Sequence, residues 1–310
     1  MDQRKALDSK ASVLMLALCM ILGLQQVVLK FAADDISPMM QLALRSGLAA
    51  ILVYPLIRLP EDVKLFSKDY LRPGVLIAVL FAAEFIMVAE ALRYTSASHT
   101  VMLLYTSPIF TALGLHFKFP SERLSKIQWF GILIAFVGIV VTFIGRDQTN
   151  SQDVMSVLYG DFLALMAGVF WALTTITLRM SKLGEAHPTQ TLFYQLIGAF
   201  LIMLPLAFLT GQSEVNWTLT AWSALAFQTL IVSFASLMLW FWLLRHYLAS
   251  RLGVFSFLTP IFGMLFGIWF LGEKIEFNFI VGTVLVMLGI FVVSARGWMS
   301  SNKSKKKATP

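Results

Sequence analysis

The sequence predicts an all-α integral membrane protein of ten transmembrane helices in two inverted five-helix repeats. Three observations lead there. The composition is 58% hydrophobic and 13% charged, with mean hydropathy +0.78, whereas a soluble domain carries about 25% charged residues. A chain of 310 residues cannot hide that much apolar surface in a core of its own. The apolar residues fall into runs of about 20, the length a helix needs to cross a hydrocarbon core. A proline-centred phrase, YTSPIFTALG at 105–114, also returns 152 residues later as FLTPIFGMLF at 257–266.

Span 1 (12–33) follows Arg4, Lys5 and Lys10. It is too long for the apolar region of a secretory signal, and no convincing small-x-small cleavage site follows it. It holds Gln25, Gln26 and Cys19, the single cysteine, which excludes an internal disulfide and any multi-cysteine metal site. Span 2 (38–58) opens on Pro38 and carries Arg45 seven residues in, ~10 Å deep at the helical rise. Span 3 (71–93) carries Glu84 nine residues from its outer end, ~13 Å deep by the same rise, and Glu90 nearer the rim. Span 4 (97–117) contains Tyr105 and Pro108, and span 5 (125–145) contains Gly131 and Gly138. Span 6 (157–179) carries Trp171 and Thr174; span 7 (188–209) carries Tyr194 and Gln195. Span 8 (218–244) carries Ser236 and Trp240, span 9 (249–270) Ser256 and Pro260, and span 10 (275–296) Gly282 and Gly289. The loops are short, and the helical rather than two-residue period argues against a barrel.

Basic residues orient the spans. With the N-terminus in the cytoplasm, nineteen fall in inner segments and four in outer ones, Lys30, Arg93, Arg146 and Lys274, with Arg45 inside a span. The inner set includes Arg58, Lys64, Arg251 and Lys307. Both termini are thus expected in the cytoplasm, in a multi-pass protein of the cell (inner) membrane. The net charge of +7 reads as topology rather than as nucleic-acid binding, and the tail at 297–310 as a solvated basic end.

The two phrases belong to a longer internal match. Arg93 aligns with Arg245, Ala97-Ser98 with Ala249-Ser250, and Pro108-Ile109-Phe110 with Pro260-Ile261-Phe262. After a one-residue gap Glu122 aligns with Glu273, Gly131 with Gly282 and Gly138 with Gly289. The domains are therefore 12–146, 157–296 and the tail 297–310. Five spans per copy is odd, so the second copy enters the membrane upside down, the arrangement many secondary transporters build around a midplane site. Pro108 frees the carbonyl of Leu104 and Pro260 that of Ser256. In lipid such groups need a neighbouring helix, a hydroxyl or cavity water. Both prolines are candidate hinges, with packing kinks as the alternative.

The phrases TSPIFTALG and LTPIFGMLFGIWFLGEKIEFNFIVGTVLVMLGIFVV resemble the EamA family of the drug/metabolite transporter superfamily, whose repeats end in a proline-bearing span, a glycine-glutamate pair and a glycine-rich closing span. Phe270-Leu271-Gly272-Glu273 fits that pattern; Phe119-Pro120-Ser121-Glu122 keeps the glutamate and loses the glycine. ISPMMQLALRSGLAA resembles the family's second span. The resemblance covers 12–296 and implies a secondary transporter, among relatives that export amino acids, metabolites or drugs.

Charge inside a membrane is expensive and ordinarily functional. Arg45 and Glu84 are therefore a candidate proton-coupling site or a structural ion pair. Gln25, Gln26, Tyr105, Trp171, Thr174, Ser236, Trp240 and Ser256 are the candidate substrate-binding residues, polar or aromatic groups inside apolar spans; packing is the simpler role for each aromatic alone. Glu122 and Glu273, just before spans 5 and 10, are expected to face the amides of those helix N-termini. No HExxH, GxSxG, Walker or GxGxxG motif occurs, so no enzyme, cofactor, metal or nucleotide-driven pump is expected. The expected partners are a small-molecule substrate and the lipid bilayer, without nucleic acid, and a homo-oligomer is compatible with the pattern. The expected function is alternating-access movement, with export as the direction, of a small amino-acid-like or related amphipathic metabolite. The competing readings are a non-transporting sensor or scaffold and an intramembrane enzyme.

Overall fold

The computed structural model describes residues 8–57, 67–143, 154–247, 252 and 255–306, and of 121, 241, 244, 245 and 294–306 the backbone only. Arg4, Lys5, Arg58, Lys64, Arg146, Arg251, Lys307 and the pair Ala249-Ser250 lie outside the described residues. The described part is all-helical, apart from one isolated bridge between Ile36 and Val215. In chain order α1 is Ser9–Phe31, α2 Pro38–Val53, α3 Lys68–Tyr94, α4 Ala97–Leu104, α5 Ser107–Lys118, α6 Lys126–Phe143 and α7 Val154–Met180. Then come α8 Pro188–Leu209, α9 Leu219–Ala226, α10 Leu237–His246, α11 Leu258–Leu271 and α12 Phe277–Lys306. Among the described residues, eight helical tracts are long and apolar enough to cross a membrane, and two apolar helices, Leu258–Leu271 and Phe277–Val293, are shorter. Large apolar side chains stand exposed around the bundle, among them Val13, Ile51, Phe117, Phe130 and Trp269, the surface expected where lipid replaces water.

The helices start where side chains satisfy their first amides. Ser37 Oγ accepts from Met40 N at 3.1 Å ahead of α2, with Pro38 in the first turn, where its missing donor does no harm. Ser96 Oγ accepts from His99 N at 3.0 Å ahead of α4. At the end of α11, Gly272 closes the helix in the left-handed region at φ 62°, a conformation glycine takes without strain.

The repeated prolines interrupt helices outright. Span 4 breaks after Leu104, and Pro108 sits in the first turn of α5. The break is held by Thr106, whose Oγ1 donates to the Leu103 carbonyl at 2.6 Å. Ahead of Pro260 the chain turns at Ser256-Phe257, and α11 begins at Leu258. A further irregularity lies in span 8, where Phe227–Ser236 is π-helical. Ser236 Oγ there donates five residues back, to Ile231 O at 2.8 Å.

α6 and α12 meet backbone to backbone. A Cβ on Gly131 would stand 2.9 Å from the Gly289 carbonyl oxygen, and one on Gly138 would stand 2.7 Å from that of Gly282. Conversely, a Cβ on Gly282 would stand 2.7 Å from the Gly138 oxygen and one on Gly289 2.5 Å from the Gly131 oxygen. Residue 131 facing 289 while 138 faces 282 makes the two helices antiparallel. Small residues permit this approach between membrane helices.

Candidate functional site

Arg45 projects from α2 into the bundle and is 3% exposed. Its Nη1 donates to Gln228 Oε1 at 2.8 Å, and its guanidinium lies 4.5 Å from the centre of the Phe85 ring. Gln228, on the π-helical segment, passes the connection on, its Nε2 donating to the Gln25 carbonyl at 2.9 Å. Glu84, also buried, sits beside Phe85 on α3, yet Arg45 makes no ion pair with it within 4.0 Å. The direct pair weighed from sequence does not form, because an aromatic face and a neutral amide take the guanidinium instead. Several polar atoms here are buried without a partner: Gln26 Oε1, Arg45 Nε and Thr229 Oγ1. Buried polar atoms are ordinarily satisfied, so a group of orphans on α1, α2 and the π segment suits a polar ligand.

The sequence-selected aromatics divide between two levels. Tyr105, at the break in span 4, meets Trp171 of α7 edge-to-face at 5.2 Å. Both pack against the buried cluster that includes Val27, Leu104 and Ala167. Trp240 packs instead with Met15, Leu18 and Cys19, nearer the start of α1. Ser256 belongs to that second level, next to Phe255, whose carbonyl accepts from Cys19 Sγ at 3.2 Å. Thr174 and Ser236 are buried and bond within their own helices, Thr174 Oγ1 to Phe170 O at 3.0 Å. α1 runs past both levels, carrying Cys19 at one and Gln25-Gln26 at the other.

Glu273 behaves differently from expectation. It does not serve the helix that follows it; its carboxylate accepts from Ala97 N at 2.6 Å, Ser98 N at 3.0 Å and Ser98 Oγ at 2.5 Å, capping α4 in the other half of the chain. Glu122 meets Arg179 Nη2 at 3.3 Å. Gln228, Asp161 and Glu276 are additions the sequence reading did not select. Asp161 carries one hint, a carboxylate inside an apolar run; Gln228 carries none, being an ordinary amide on a helix of irregular winding. Among the described residues no group of His, Cys, Asp and Glu could hold a metal ion. A cavity of about 280 Å³ opens at one end of the bundle, between Asp35, Ser37, Arg93, Gln212 and Glu214.

The family model of the EamA-like transporter family matches residues 9–144 and again 158–295. The chain belongs to that family. This EamA-like transporter is 23% identical to the uncharacterized transporter YoaV of Bacillus subtilis over 89% of its own length and 94% of that protein. It is 26% identical to a probable amino-acid metabolite efflux pump of Escherichia coli K12, over 92% of this chain and 95% of the other. A chain of known crystal structure shares the fold, with TM-score 0.62 at 16% identity, covering 94% of this chain and 99% of its own. The EamA-like transporter is therefore a multi-pass membrane protein that moves a small molecule, not an enzyme.

Proposed function

We propose that the protein exports a small zwitterionic, amino-acid-like metabolite across the cell membrane by alternating access between two inverted repeats, 12–146 and 157–296, ten spans in all, with both termini and the basic tail 297–310 in the cytoplasm. The observation that carries the inverted arrangement is the glycine seam. Gly131 is equivalent to Gly282 and Gly138 to Gly289 in the internal match, and the contacts run 131 to 289 and 138 to 282. Equivalent residues that exchange partners in this way are the mark of a twofold relation, and two states of similar energy are what such a relation supplies.

The substrate class follows from the two buried charges. Glu84 has no cationic partner within 4.0 Å among the described residues, and Arg45 keeps an unbonded Nε. A carboxylate and a guanidinium that stand near each other without a direct ion pair suit an ammonium and a carboxylate on one small ligand. Tyr105 and Trp171 supply an apolar wall beside them, while Gln26, Thr174 and Ser236 line the approach; Gln25, Trp240 and Ser256 serve the second level, and Pro108 and Pro260 act as hinges. The amino-acid metabolite efflux named for the Escherichia coli relative supports this class. The test compares metabolite-resolved efflux and uptake in overexpressing and deletion cells, followed by counterflow of labelled amino acids in proteoliposomes. Efflux confined to solutes lacking either an amine or a carboxylate would overturn the proposed class.

A further inference from the structure

The turn from α5 to α6 carries three cations, Lys118, Arg123 and Lys126. All three are exposed, and among the described residues none takes part in an ion pair. The acid of the turn, Glu122, is engaged by Arg179 Nη2 at 3.3 Å. Hydrogen bonds give the turn a fixed shape. The Leu124 amide donates to His116 Nδ1 at 2.8 Å, the Glu122 amide to the Phe119 carbonyl at 3.0 Å, and the Ser125 amide to Gln128 Oε1 at 3.0 Å. The His116 ring stands edge-on to Trp129 at 5.4 Å, and Trp129 is itself exposed.

Below the turn, α6 presents a continuous apolar stripe. Phe130, Leu133, Val137 and Val140 are exposed and follow Lys126 at helical spacing, so all five share one face. Gly131 and Gly138, which meet α12, fall on the opposite face. From Phe130 to Val140 the helix rises ~15 Å, half the ~30 Å thickness of a hydrocarbon core. The face therefore has a charged head and an apolar run as long as one leaflet is thick. A phospholipid has the same proportions. Its headgroup must be anionic to answer three unpaired cations, each of which strengthens attraction to an anionic lipid surface about fivefold. A second copy of the chain, inserted the same way, would bring like cations to one level, so lipid is the better-matched occupant.

We propose that the α5–α6 turn and the face of α6 below it form a binding site for one anionic phospholipid. Lys118, Arg123 and Lys126 hold its phosphodiester, and one acyl chain lies along Phe130, Leu133, Val137 and Val140. Trp129 sits at the level between them, the interfacial position amphipathic rings favour. The site needs only the membrane placement of the chain and does not depend on which solute the transporter moves.

The test uses the full chain, delipidated in detergent and given equal amounts of dioleoyl phosphatidylglycerol and dioleoyl phosphatidylcholine, with native mass spectrometry counting what stays bound. The expected result is one retained phosphatidylglycerol, preferred by at least about tenfold. Arg123→Gln with Lys126→Gln should cut its retention roughly 25-fold. Lys68→Gln with Arg72→Gln, the same loss of charge among exposed residues at the start of α3, should leave retention unchanged. Lys126→Arg keeps the charge and should keep the lipid. Glycerol phosphate, a headgroup without chains, should not displace it. Equal loss in the two charge pairs would mean bulk surface charge only and overturns the inference, as would displacement by glycerol phosphate or parity between the two lipids in the parent. A dimer mass with no retained lipid would assign the face to a second copy and overturns it as well. Melting temperatures equal to the parent's separate lost binding from lost folding, and if a charge pair does not fold, the lipid preference and the glycerol phosphate competition in the parent decide.

Discussion

Gln228 is the residue on which the buried arginine depends. It accepts from Arg45 Nη1 and donates to the Gln25 carbonyl, so Gln228→Leu strands a cation and a carbonyl together in a low-dielectric interior. Hydrogen bonds to charged groups contribute about 1.5–3 kcal/mol, and the melting temperature of the purified variant should fall accordingly. Glu84 answers to a different logic. Because Arg45 is held by Gln228 and Phe85, Glu84→Gln should express at the parental level while losing at least about tenfold in substrate affinity, roughly 1.4 kcal/mol. Adding Arg45→Gln should restore nothing, and recovered binding in the double variant would show that the two charges do act as a pair. At the exposed end Lys182 Nζ meets Asp69 Oδ2 at 2.6 Å, and that hydrogen bond and charge raise the ammonium above its ordinary range. A raised lysine stabilises the fold below its unfolded value, and the contribution fades as pH climbs through the folded one. The pair is open to water, where screening leaves little of it, so melting curves of Lys182→Ala and parent should coincide at pH 7 and remain together at pH 11.

At the scale of elements, periodicity located the helices and misjudged their interiors. Apolar runs of membrane length are strong signals because lipid leaves the backbone no other means of satisfaction. The proline phrases marked where span 4 and span 9 stop being continuous, since a missing donor and a ring clash are local facts. The π-helical winding of Phe227–Ser236 left no such mark; it arises where the segment packs on α1 and α2, and it turns Gln228 inward. The partner of Glu273 was equally hidden, because a carboxylate can cap any helix brought within reach and α4 is brought there only by the fold. Glycines of span 5 and span 10 were visible as a pattern, and their contact was not. Gly138→Leu tests that contact: the side chain must occupy the 2.7 Å that now separates a would-be Cβ from the Gly282 carbonyl. Overpacking costs about 1–3 kcal/mol in ordinary cores, and here the opposing atom is backbone that cannot turn aside. Thermal stability should drop by at least that amount. An unchanged melting curve would show that α6 and α12 separate freely.

For the whole molecule, the seam between α6 and α12 fixes an order in time. A chain enters the membrane as it is made, its N-terminal part first. α6 ends at Phe143, but the helix that covers its glycines starts only at Phe277. Throughout synthesis of the intervening residues, the groove over Gly131 and Gly138 faces lipid or a provisional neighbour. The first half therefore waits, inserted yet unfinished, for the second. Chains truncated ahead of Phe277 should insert normally and then be removed by membrane proteases, whereas supplying 275–310 as a separate peptide should lengthen their lifetime in a pulse–chase measurement. A truncated chain as durable as the full one would mean that another helix fills the groove. Quality control in the membrane would then judge this protein by its final helix, with every earlier span already in place.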